Sequence, residues 1–98
     1  MQICEVDTDG EVLRQFSGSG LLSLRWPDHL DIDSHGSILV ADRYSQRVLA
    51  LDSRLRLRRV IVDEHQLGCS KPLYGLHYDE PTGRLLLALE DSVAVFVL

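Results

Sequence analysis

The sequence predicts an all-β repeat protein, and three observations carry that prediction. It holds β-branched or Leu-rich runs of five to seven residues, such as "SILVA" and "RLRRVIV", which are strand lengths rather than helix lengths. Between the runs stand Asp, Ser, Gly and Pro, whose short side chains or backbone freedom close tight turns. The pattern of "GSILVADRYSQRVLAL" (Gly36–Leu51) then returns as "GRLLLALEDSVAVFVL" (Gly83–Leu98).

Taken in order, "ICEVDTDGEVLRQF" (Ile3–Phe16) lies over "VLALDSRLRLRRVI" (Val48–Ile61) at a shift of 45, with Val6 on Leu51 and Asp7 on Asp52. The chain therefore opens with the last two strands of a unit. A connection, "SGSGLLSLRW", leads to four further strands, His29–Asp33, Ser37–Ala41, Arg47–Asp52 and Arg56–Val62, separated by "DSHG", "DRYSQ" and "DSR". After "DEHQLGCSKP" the order restarts: "KPLYGLHYD" ends in Asp79, "EPTG" (Glu80–Gly83) turns, and "RLLLALE" and "VAVFVL" follow. Pro27 and Pro72 are 45 residues apart, Asp33 and Asp79 46, and Gly36 and Gly83 47, the drift being taken up by the longer "YDEPTG" turn. The expected units are thus residues 1–26, 27–71 and 72–98. Four meandering strands in a period of this length are the signature of a β-propeller blade. The chain then holds one complete blade between two partial ones, an array that needs further blades or self-association to close.

The run Ile38, Leu39, Val40, Ala41 lacks alternation, which fits a strand covered on both faces by neighbouring sheets. Asp42 follows it. Its carboxylate is placed to accept amides of the "RYSQ" loop and to face Arg47 across the hairpin, a scaffold role rather than a catalytic one.

Composition bounds the function. With 45% hydrophobic and 26% charged residues the chain is an ordinary globular domain, and its longest apolar runs are far short of the ~20 residues a membrane-spanning helix needs. The opening "MQICEVDTDG" has no basic start followed by an apolar stretch, so the expected compartment is the cytoplasm. Cys4 and Cys69 are read as reduced, partly buried thiols rather than a disulfide. A net charge of −5 argues against a surface that attracts nucleic acid throughout.

The stretch "WPDHLDIDSHGSILVADRYSQRVLALD" (Trp26–Asp52) resembles the NHL repeat, a pattern of a proline near the start, a short strand closing on Asp, a glycine turn, an apolar strand ending Val-Ala-Asp, and an Asn-rich loop before Arg-Val. Pro27, Asp33, Gly36, Val40, Ala41, Asp42, Arg47 and Val48 match; Ser45 and Gln46 replace the usual asparagines. In the unit from Pro72, Asp79 and Gly83 keep the pattern, whereas Leu89 and Ala94 stand at the positions of Asp42 and Arg47. The resemblance implies a propeller of the kind found behind the RING finger, B-box and coiled coil of tripartite-motif ubiquitin ligases, where it captures a protein substrate or an RNA hairpin. None of those upstream modules is present in these residues.

No catalytic or metal role is expected. His29, His35, His65 and His77 lack the close spacing of zinc ligands. Asp31 and Asp33 read as same-face neighbours at a strand end, and no nucleophile elbow, phosphate loop or cysteine cluster occurs. The expected function is capture of a protein partner without a cofactor, with RNA binding as the alternative and a metal-dependent propeller hydrolase or lyase behind it. In a propeller the "DRYSQR" loop and the inter-blade connections share one rim, which brings together Arg25, Trp26, Arg43, Tyr44 and Lys71, and aromatic and Arg residues are enriched in binding hot spots. The basic tract "RLRLRR" reads as an outer strand with Leu55 and Leu57 inward and Arg54, Arg56 and Arg58 outward.

Overall fold

One local device recurs along the chain and sets the hairpins. At Asp7, Asp33 and Asp52 the Oδ1 atom accepts the main-chain N–H two and four residues on, at 2.8–3.0 Å. The residue three positions on takes a left-handed backbone: Gly10 at φ 86°, Gly36 at φ 80° and Leu55 at φ 60°. The carboxylate thus replaces the main-chain partners that a tight turn leaves unpaired. A fourth turn, from Asp79 to Gly83 (φ 67°), is one residue longer, and there Asp79 accepts the Thr82 hydroxyl.

The computed structural model describes residues 2–18, 23–67 and 72–98. The fold is all-β. Strands β1 (Ile3–Val6) and β2 (Val12–Phe16) form a first sheet; β3 (Pro27–Ile32), β4 (Ile38–Asp42), β5 (Arg47–Leu51) and β6 (Leu57–Val62) a second; β7 (Gly75–Asp79), β8 (Arg84–Ala88) and β9 (Val93–Val97) a third. Each is an antiparallel meander in chain order. The three stack without closing on themselves.

Some boundaries move from the sequence reading. Asp33 lies outside β3 because its side chain caps the turn, and β3 starts earlier, at Pro27. Arg54 to Arg56 belong to a turn rather than an outer strand; Leu55 is buried as expected, but from the left-handed position of that turn. Cys4 is exposed rather than partly buried, since β1 turns Ile3 inward, and Cys69 lies outside the described residues. A short helix, α1 (Glu64–Leu67), was not expected. Asp63 and Gln66 start it by exchanging side-chain to main-chain bonds of 2.9 and 3.0 Å, the reciprocal pattern of a capping box.

The second sheet is covered on both faces, as the unbroken run in β4 predicts. Leu39, Ala41, Val48 and Ala50 pack with Leu73, Leu76, Leu85 and Leu87 toward the third sheet. Val40, Leu49 and Leu51 pack on the other face with Leu24 and Leu55, against Ile3 and Phe16 of the first sheet. All five residues of β5 are buried.

Polar groups align the second and third sheets. The open edge of β7 presents its amides to side chains of β3: the Leu76 N–H donates to His29 Nδ1 at 3.2 Å and the Tyr78 N–H to Asp31 Oδ2 at 2.9 Å. Asp31 therefore serves this seam rather than pairing with Asp33. His77, exposed beside it, brings Nδ1 to 3.8 Å from the same carboxylate. Farther along, the Ser34 hydroxyl donates to Glu80 Oε2 at 2.8 Å, and the Ser34 N–H donates to Oε1.

Candidate partner-binding surface

The surface is organised by a buried carboxylate. Asp42, at the end of β4, is fully buried. It accepts the Trp26 N–H at 2.6 Å, the Arg25 N–H at 3.0 and 3.2 Å, and the Ser45 hydroxyl at 2.7 Å. The sequence reading gives it amides of the loop that follows; it also draws in the segment before β3, and the loop's Ser45 hydroxyl joins them. A buried charge held by this many donors is compensated, and it fixes the groups that compensate it. Arg47 stands opposite Asp42 in the β4–β5 ladder, and its Nη2 reaches the Ser23 carbonyl at 3.2 Å.

Two main-chain bonds extend the arrangement. The Arg43 N–H donates to the Trp26 carbonyl at 2.9 Å, and the Arg43 carbonyl accepts the Leu73 N–H at 3.1 Å. Three separated segments, around residues 26, 43 and 73, are thereby sewn side by side. Their side chains form one exposed group. Trp26 meets Tyr44 edge to face, with centroids 6.0 Å apart and planes at 75°, a favoured geometry for two aromatic rings. The Arg43 guanidinium lies 5.0 Å from the Tyr74 ring centroid and 5.9 Å from that of Tyr44, within cation–π range.

Asp28 balances that cation. Its Oδ2 accepts Arg43 Nε at 3.1 Å and Nη2 as well. The hydrogen bond to Asp28, and after it the one to Tyr44, raises the guanidinium above its ordinary pKa. The charge of Arg43 is thus spent within the cluster, while Trp26, Tyr44 and Tyr74 stay 43%, 47% and 45% exposed.

Of the residues expected on this rim, Trp26, Arg43 and Tyr44 come together. Arg25 lines, with Tyr44, Arg47, Asp63, Glu64 and His65, an adjoining recess of about 710 Å³. Lys71 lies outside the described residues. Tyr74 and Asp28 are the residues the sequence reading missed. Tyr74 was placed inside a strand, but β7 starts only at Gly75, so Tyr74 belongs to the connection that carries the rim. The basic tract does not join this surface: Arg56 pairs with Asp52 at 3.0 Å, and Arg58 donates to Ser37 Oγ at 2.8 Å.

No family model, no curated protein and no solved structure matches the chain. Among the described residues, no helix is long and apolar enough to cross a membrane.

Proposed function

We propose that this chain is a segment of an NHL-type β-propeller that binds a protein partner without catalysing a reaction. The observation that carries the reading is the Trp26–Arg43–Tyr44–Tyr74 cluster, in which Asp28 has already balanced the one cation. Large exposed rings around a planar guanidinium are the anchors that protein interfaces favour. A cation paired inside the cluster has little left for phosphates, and the net charge of −5 works in the same direction. The four-stranded meander between two shorter ones, and the buried Asp42 opposite Arg47, support the propeller reading. A tripartite-motif-like ubiquitin ligase in the cytoplasm is the parent we infer from the resemblance, with catalysis residing in modules outside these residues.

The three exposed rings also favour a second reading, stacking on unpaired RNA bases, worth about 1–3 kcal/mol per base. Trp26, the sole tryptophan, separates the two by its own fluorescence. Titration with single-stranded oligonucleotides should leave its emission unchanged. Affinity capture by the wild-type chain should retain a protein that the Tyr44→Ala/Tyr74→Ala double variant does not, and that purified protein should shift Trp26 emission on titration. Quenching by RNA with strong salt dependence would promote the second reading. Identical capture by wild type and variant would remove this surface from function.

A further inference from the structure

A second cluster lies away from the aromatic surface, where the β3–β4 turn meets the β7–β8 turn. Asp33, His35 and Glu80 each bring one ligand-type atom to this point, and the three atoms all lie within 4.8 Å of one another. We propose that they form a binding site for a divalent transition-metal ion, zinc above all, that ties the second sheet to the third.

The two carboxylates are oriented before any ion arrives. Asp33 Oδ1 is occupied by the amides of His35 and Ser37 at 2.9 and 2.8 Å, which orients the carboxylate and leaves Oδ2 without a hydrogen bond among the described residues. Glu80 is aimed by Ser34, which donates its N–H to Oε1 and its hydroxyl to Oε2. A carboxylate oxygen has two lone pairs, so one such bond leaves room for a metal, and hydrogen bonds of this kind orient metal ligands in known sites. The His35 imidazole is different. It is exposed and makes no hydrogen bond or ion pair among the described residues, which leaves its ring nitrogens open to a ligand.

Charge favours a cation here. Two carboxylates are held close together, and neither has an ion-pair partner among the described residues. Arg58 and Arg59 line the same cavity as Asp33 and His35, yet Arg58 is committed to Ser37 Oγ at 2.8 Å, and neither arginine pairs with Asp33 or Glu80. One imidazole nitrogen with two carboxylate oxygens suits zinc, which takes three such ligands and completes its shell with water. Magnesium and calcium prefer oxygen alone.

His35→Ala is the clean test, since it removes a donor without removing a structural bond. The full chain, stripped with chelator and dialysed, is titrated with zinc chloride by calorimetry and followed in thermal unfolding. Wild type should bind one equivalent, with a raised midpoint. Both effects should be lost in His35→Ala, which should match wild type in circular dichroism and in its zinc-free midpoint. Glu80→Gln keeps an acceptor for Ser34 and should weaken binding by at least about tenfold, the cost usual for disturbing a metal site. His65→Ala should bind as wild type does, and magnesium chloride should not compete. Absence of zinc binding by wild type, or equal binding by His35→Ala, overturns the proposal.

Discussion

The Nδ1 atom of His29 accepts the main-chain N–H of Leu76 across the seam between the second and third sheets, at 3.2 Å. A ring nitrogen accepts only when it carries no proton, so the bond selects the tautomer with hydrogen on Nε2. His29→Ala leaves the Leu76 amide without its partner, which should cost about 1–3 kcal/mol. Urea unfolding should show a lower midpoint with an unchanged slope; an unchanged midpoint would mean that water replaces the imidazole without loss.

Asp31, on the same strand, gives the seam a dependence on acid. The Tyr78 amide, opposed by desolvation and helped by the Ile32 amide and His77, holds its pKa below the ordinary 3.8. A carboxyl with a lowered folded pKa contributes stability that is fully present above its unfolded value and lost as pH falls through the folded one. Asp31→Asn keeps an acceptor for Tyr78 but not the charge. The stability gap between wild type and Asp31→Asn should therefore be constant near neutrality and narrow below pH 3.8. A gap that stays constant through acid unfolding would show that the charge is not what the seam uses.

The left-handed turn position makes opposite demands at two places. Around Gly36 an added Cβ would meet nothing within 4 Å, so Gly36→Ala tests conformation alone and should cost roughly 1–2 kcal/mol. Leu55 holds the same position at φ 60° with its side chain buried in the core. Leu55→Gly relieves roughly 1–2 kcal/mol of backbone strain but forfeits more than the roughly 2–5 kcal/mol that truncating a buried leucine to alanine costs. It should destabilise on balance. A stabilised Leu55→Gly would show that strain outweighs burial.

Asp42→Ala removes a buried acceptor from the Arg25 and Trp26 amides and the Ser45 hydroxyl at once. At about 1.5–3 kcal/mol for a hydrogen bond to a charged group, the loss should reach 3 kcal/mol or more. The same change frees the segment carrying Trp26, so its emission should move to the red under native conditions. Emission unchanged in a folded variant would show that Asp42 does not position the tryptophan.

What the sequence made legible is the rhythm of strands and turns, because each of those features is local. Asp7, Asp33 and Asp52 act on amides two and four residues ahead, and the unbroken apolar run of β4 reports a strand covered on both faces. Helix α1 left a readable signal too, in the Asp63 and Gln66 spacing. Leu55 was harder: nothing in a leucine announces a left-handed backbone, and the clue lay in the shift of 45 that sets it on Gly10. Tyr74 and Asp28 joined the aromatic surface through contacts that link the connections around residues 26, 43 and 73, which no short window spans. Glu80 reached His35 in the same way, from a turn that periodicity could place in order but not in space.

The seam at β7 also gives the molecule a polarity in how it would misassemble. One edge of the third sheet is sealed, its amides taken by His29 and Asp31 rather than left as a template. The other edge belongs to β9, which has no further strand beside it among the described residues and turns Val93, Val95 and Val97 outward, the last 77% exposed. The segment is uncharged and rich in valine, preceded by Glu90 and Asp91, the composition that recruits identical strands into stacked fibres. Growth of such fibres would proceed from that edge, and a single lysine in place of Val95 would act as a gatekeeper there.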